Sequence, residues 1–94
     1  MGYSEKTARF LIESRMADAA AGNADALYDL GIAYSTGTNG VELDLIEAHK
    51  WFNLAALRGY SDAKQSRKEL SDYMSSDEIA TAQKAAREWL SLAN

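Results

Sequence analysis

Apolar residues along this chain recur at steps of three and four rather than two. Ala8, Ile12, Met16 and Ala19 share one stripe, which predicts a helix from about Glu5 to Ala21, with Ser4 as N-cap and Gly22 just past the end. Asn23 then caps a second helix to about Thr36 that buries Leu27, Leu30 and Tyr34. Asp44 with Glu47 three residues on forms a capping-box pattern, opening a third helix that ends at Gly59. A fourth helix is expected over Asp62 to Tyr73, turning Ala63, Leu70 and Tyr73 inward. Ser75 with Glu78 is a second capping-box pattern, and Ile79, Ala82, Ala86, Trp89 and Leu90 keep helical period after it. No segment alternates as a strand would. The expected fold class is all-α, with five helices.

The chain also repeats. Gly22-x-x-Asp25-Ala26 recurs as Gly59-x-x-Asp62-Ala63, and Ala48-x-x-Trp51-Phe52 as Ala86-x-x-Trp89-Leu90, at nearly one period. The two matches fall on different helices, so a helix-loop-helix unit occurs twice in tandem. Such hairpins cannot cover their apolar faces alone and stack to make a core. The organisation read from this is a single domain over residues 1–94. A capping helix spans 1–21, a first repeat 22–58, and a second, degenerate closing repeat 59–94.

Leu30-Gly31-x-x-Tyr34 followed by Ala48-x-x-x-Phe52 fits the tetratricopeptide pattern of L-G-x2-Y and A-x3-F. Leu27 stands where that pattern has tryptophan, its closing proline is missing, and the excess length lies between Tyr34 and Ala48. A tetratricopeptide-like hairpin with a lengthened Gly37-Thr38-Asn39-Gly40-Val41-x-x-Asp44 loop resembles the Sel-one-like repeat family. The resemblance continues through Trp51-Phe52, Ala55-Ala56, Gly59 and Ala63. Beyond about residue 70 only the second helix of a repeat is recognisable, and no glycine follows Gly59. The resemblance implies an α-solenoid of antiparallel helix pairs, with the first helix of each pair lining a concave groove.

Charge narrows the function. A formal net charge of −4 and a pI near 4.8 disfavour nucleic acid and anionic membranes, whose binding draws on Lys and Arg. No cysteine is present, which removes disulfides, thiolate metal sites and cysteine nucleophiles. The segment MGYSEKTARFLIESRMADAA has no charged leader followed by an apolar core, so a cytoplasmic location is expected.

The Gly37-x-x-Gly40 loop has the spacing of an RNA-gripping GXXG clamp, but Glu42 and Asp44 follow it and no Lys or Arg lies between Arg15 and Lys50. Val41-Glu42 after Gly40 likewise replaces the Lys-Ser/Thr of a phosphate-binding Walker loop. The loop reads as a turn between helices, with Val41 as a plug between them. His49 is the only histidine and has no second ligand at helical spacing, so it reads as structural. Asp44 and Glu47, and Asp77 and Glu78, begin helices, where carboxylates cap amides. Trp51 and Trp89 hold equivalent repeat positions, which favours packing. Lys64, Arg67 and Lys68 share a helical face that reads as solvated.

What remains is surface. By the resemblance, Asp25, Tyr28, Asp29, Ile32 and Ser35 face the groove, joined by Asp62, Gln65 and Glu69 from the next hairpin. Tyr28 either serves there with Ile32 or packs against the N-terminal helix. The expected function is a non-enzymatic, cofactor-free interaction module or adaptor that binds a peptide or helix of another protein, in the manner of bacterial signalling and regulatory adaptors. A homodimer assembled through the end helices is the second reading. A hydrolase is the third and weakest, because the family members it evokes are cysteine-rich.

Overall fold

A computed structural model of the chain describes residues 5–92. It contains α1 (Glu5–Ala20), α2 (Ala24–Thr36), α3 (Leu45–Leu57), α4 (Ala63–Ser71) and α5 (Ser76–Leu92), with no strand among the described residues. The fold is an all-α helical-repeat solenoid. The expected Ser4 cap and the Ala8 side chain lie outside what is described.

The helix starts follow local hydrogen-bond chemistry. Asn23 Oδ1 accepts from the Ala26 amide at 3.1 Å, satisfying one of the free amides of the first turn of α2. Ser75 and Glu78 complete a reciprocal box, at 3.1 Å from the Glu78 amide to Ser75 Oγ and 2.8 Å from the Ser75 amide to Glu78 Oε1. Asp44 makes only half of its box, accepting from the Glu47 amide at 3.1 Å. The Asp44 amide is already taken by the Tyr34 carbonyl at 2.9 Å, and Glu47 turns instead to Lys50 at 2.8 Å.

The lowest-accessibility residues come from every helix: Ala19 of α1, Leu27 and Leu30 of α2, Trp51, Leu54 and Ala55 of α3, Ala63 of α4 and Ala86 of α5. Helix α3 is central, packing on α2, α4 and α5, while α1 packs on α2. Its buried residues, including Ala48, Trp51, Phe52 and Leu54, surround most of its circumference, as a helix enclosed by neighbours requires. The repeat is visible in space. Gly22 and Gly59 both have φ near +90°, at 86° and 89°, and Ala26 and Ala63 are both buried. Trp51 and Trp89 meet edge-to-face with centroids 4.9 Å apart.

One inward assignment is corrected. Tyr73 is 82% exposed, because α4 stops at Ser71. The amides of Asp72, Tyr73 and Met74 bond three residues back, to Glu69, Leu70 and Ser71, and this tighter winding rotates Tyr73 off the core stripe. The polar remainder of α4 leaves it only Ala63 fully buried.

The long loop is a turn. Gly37 is the left-handed C-cap of α2, Asn39 has φ 57° and Gly40 φ 85°. Val41 is half-buried and borders a cleft with Arg9 and Ile12 of α1. Gly40→Val is expected to cost about 1–2 kcal/mol, because a side chain at that φ crowds its own backbone. A urea midpoint equal to that of wild type would contradict the turn assignment.

Candidate functional site

Helices α2 and α4 both pack on α3, and a cleft of about 220 Å³ opens between them. Ile32 and Ser35 form one wall, Ser66, Glu69 and Leu70 the other, and Phe52 of α3 lies between them. Ile32 is 40% exposed, a large aliphatic side chain left open in the middle of α2. It also borders a second cleft of about 290 Å³ on its other side, shared with Leu11, Ile12 and Arg15 of α1 and Asp29 of α2. Ile32 is therefore a ridge between two depressions.

The other residues named from the sequence lie on α2, on α4 or at their starts. Asp29 is paired with Arg15 at 3.2 Å, an exposed contact worth little by itself. Ser35 Oγ donates to the Ile32 carbonyl at 3.0 Å, and Gln65 Nε2 donates to Glu69 Oε1 at 3.0 Å. Asp25 and Asp62 are exposed at the starts of α2 and α4. Asp62 makes no side-chain capping bond.

Tyr28 has a different principal role from either expected one. Its ring stacks on Tyr60 at 4.1 Å and tilts against Phe52 at 5.3 Å, while its hydroxyl pairs with Ser66 Oγ at 3.0 Å. It ties α2 to α4 and to the turn after α3. Tyr28 and Ser66 thus brace the two walls across the gap, and the clean probe of the cleft is Ile32 alone. Burial pushes the Tyr60 phenol above its ordinary pKa, and the neighbouring Tyr28 and the carboxylates of Asp25, Asp62 and Asp29 add to the effect.

Spacing gave no partner for His49, but the fold supplies one. Its Nε2 lies 3.1 Å from Ser71 Oγ, and that hydroxyl donates to the Arg67 carbonyl at 2.9 Å. The serine proton is thereby directed away from the ring, so Nε2 carries the hydrogen and donates. A serine nucleophile needs the opposite arrangement, with the imidazole accepting its proton. The ring is 2% exposed and its Nδ1 has no hydrogen-bond partner. This is a structural link between α3 and α4, seconded by the Arg67 guanidinium, which donates to Asn53 Oδ1.

Desolvation holds the His49 pKa below its ordinary 6.5, and the charge of Arg67 lowers it further. The unfolded chain then binds a proton more readily than the folded one. The neutral histidine's contribution is complete above pH 6.5 and is lost as pH falls from there through the folded-state pKa. A His49→Gln variant keeps an amide donor for Ser71 without titrating. Its urea midpoint is expected to fall less than that of wild type between about pH 7.5 and about pH 5.5. Identical pH dependence in the two proteins would exclude the histidine as the cause.

The basic face of α4 is divided. Arg67 is turned onto α3, whereas Lys64 and Lys68 are exposed. Lys50 is held by Glu47 and lies 4.2 Å above the Trp51 ring, in cation–π range. Trp51, buried and covered by Lys50 and Trp89, presents no free stacking platform.

No curated protein and no solved structure matches the chain. Residues 24–60 match the family model of the Sel1 repeat, a span that takes in α2, the glycine loop, α3 and the Tyr60 that stacks on Tyr28. With its paired helices, its glycine loop and this match over residues 24–60, the chain is consistent with a Sel1-like repeat protein.

Proposed function

We propose that this chain is a non-enzymatic adaptor that holds a peptide or helix of another protein in the groove between α2 and α4. Sel1 repeats generally mediate protein–protein interaction. The observation that carries the finer reading is the exposure of Ile32 on a ridge between two clefts, above a buried aromatic, Phe52. An aliphatic side chain so placed offers a contact that an amphipathic partner can cover. The proposed setting is a bacterial signalling or regulatory complex in the cytoplasm. In this reading residues 1–21 cap the stack, 22–58 supply the binding repeat and 59–94 close it. Among the described residues no helix is long and apolar enough to cross a membrane.

Ile32→Arg tests the groove. It is expected to weaken capture of a partner from the source organism by about thirtyfold, the scale of a central interface residue, while leaving the thermal midpoint within a few degrees. An unchanged set of captured proteins would remove the groove proposal. A second reading, self-assembly through the end helices, is favoured by the exposure of Phe10 on α1 and Leu92 on α5. Mass in solution separates the two, since a tight dimer lost on Phe10→Ser or Leu92→Ser supports self-assembly.

A further inference from the structure

One carboxylate, Glu69, lines the groove, two more stand at the starts of the helices that form its walls, and the basic residues nearby face elsewhere. Asp25 and Asp62 occupy the same position of the two repeats, so both walls present a carboxylate at the N-terminal end of their helix. Neither is committed to capping: Asn23 caps α2, and Asp62 makes no side-chain capping bond. Glu69 lies further along the α4 wall, on the cleft itself. On a helix, Asp62, Ser66 and Glu69 fall on one side, whereas Lys64, Arg67 and Lys68 fall on the other. Arg67 is turned onto Asn53, and Lys64 borders a separate depression with Ala56, Gly59 and Ser61. Arg15, at the edge of the neighbouring cleft, is paired with Asp29.

We propose that the groove selects a partner segment in which Lys or Arg side chains flank an apolar residue. The apolar residue sits beside Ile32 over Phe52, and the basic groups reach Asp25, Asp62 and Glu69. This rests on the groove reading above and adds to it the chemistry of the occupant. Complementary charge mainly sets partner choice and association rate. Each exposed pair contributes at most about fivefold in affinity, so the Ile32 contact and the acidic rim are separable by experiment.

The probe is a random peptide library displayed on phage, selected on the intact protein. Selected peptides are then synthesised and titrated against wild type, Asp25→Asn/Asp62→Asn and Ile32→Ala. The expected peptides carry at least two Lys or Arg residues around an aliphatic or aromatic one. They weaken about tenfold with the Asp double variant at low salt, and the variant's salt dependence is shallower than that of wild type. The uncharged Ile32→Ala change weakens them independently of salt. Peptides that are neutral or acidic, lost with Ile32→Ala but indifferent to the Asp changes, overturn the basic-segment proposal and leave the groove standing. Peptides indifferent to Ile32→Ala, or no enrichment over an unrelated control protein, count against the groove itself.

Discussion

Trp51→Ala is expected to lower the stability of the folded chain by about 3–5 kcal/mol, the usual range for truncating a buried tryptophan. A domain of this size has roughly 5–14 kcal/mol available, so the variant would be marginal or unfolded at room temperature. Trp51 is 1% exposed on the central helix and is one of the largest side chains fully enclosed by the fold. Its removal leaves a cavity bordered by α5, because the edge contact with Trp89 is lost along with it. Lys50 loses the face it lies over, an effect of about 0.5–1 kcal/mol included in that range. Trp51→Phe is the informative companion. The indole Nε1 is buried without a hydrogen-bond partner among the described residues, and an unsatisfied buried donor costs about 1–3 kcal/mol. Phenylalanine removes that donor while leaving a smaller void, so its loss should be under half that of alanine. Urea denaturation of the two variants decides the matter. Equal losses would show that ring size rather than the stranded N–H governs the site, and a Trp51→Ala loss below about 1 kcal/mol would contradict the core assignment.

Gly31→Ala carries the second large effect, and its sign is the test. On helix propensity alone, alanine for glycine inside a helix gains about 0.8–1.0 kcal/mol. Here the added methyl would lie 2.4 Å and 2.5 Å from Cδ1 and Cε1 of Phe52. The ring is buried and leans on Tyr28, which is itself stacked on Tyr60, so displacing it disturbs the whole aromatic group between α2 and α4. Overpacking of this kind costs about 1–3 kcal/mol, occasionally more, and Gly31→Ala is expected to be a net destabiliser of about 2 kcal/mol. Shortening the opposing side chain should recover part of the loss. The Gly31→Ala/Phe52→Leu double variant is therefore expected to be more stable than the sum of its single changes, with a coupling of about 1 kcal/mol. A Gly31→Ala protein more stable than wild type would show that α2 and α3 do not approach as closely as described.

These two residues also show how far local pattern reaches. Trp51 recurs as Trp89 in the second unit, and its packing was legible because a repeat makes a residue's environment predictable from its counterpart; Gly31 stands in the tetratricopeptide-like pattern but has no counterpart in the second unit. Trp51 meets Trp89, its own equivalent one unit on. Helix starts were legible for a related reason, since a cap and the amide it satisfies are only three residues apart. Helix ends were less so. Tyr73 has the correct period for the core stripe, yet α4 tightens into three-residue turns two residues earlier and exposes it.

The candidate groove was legible only in outline. Ile32, Ser35 and Glu69, which helical period places on one side of their helices, do border the cleft between α2 and α4, whereas Asp25 and Asp62 stand at the helix starts. Tyr28 could not be placed, because its ring contacts lie 24 and 32 residues away, at Phe52 and Tyr60, and its hydroxyl partner is Ser66. The His49–Ser71 pair was missed for the same reason: nothing in the local spacing of α3 marks a serine at the end of α4.

By itself, then, the order of residues determined the helices, their caps, the repeat and the absence of thiol chemistry. Each of these depends on interactions spanning a few residues or on composition. Tertiary structure alone decided which apolar side chains stay open to solvent, which carboxylates remain unpaired and how His49 is protonated. Those properties depend on the gap between α2 and α4, and a gap is set by how both helices rest on α3, a relation that no local pattern encodes.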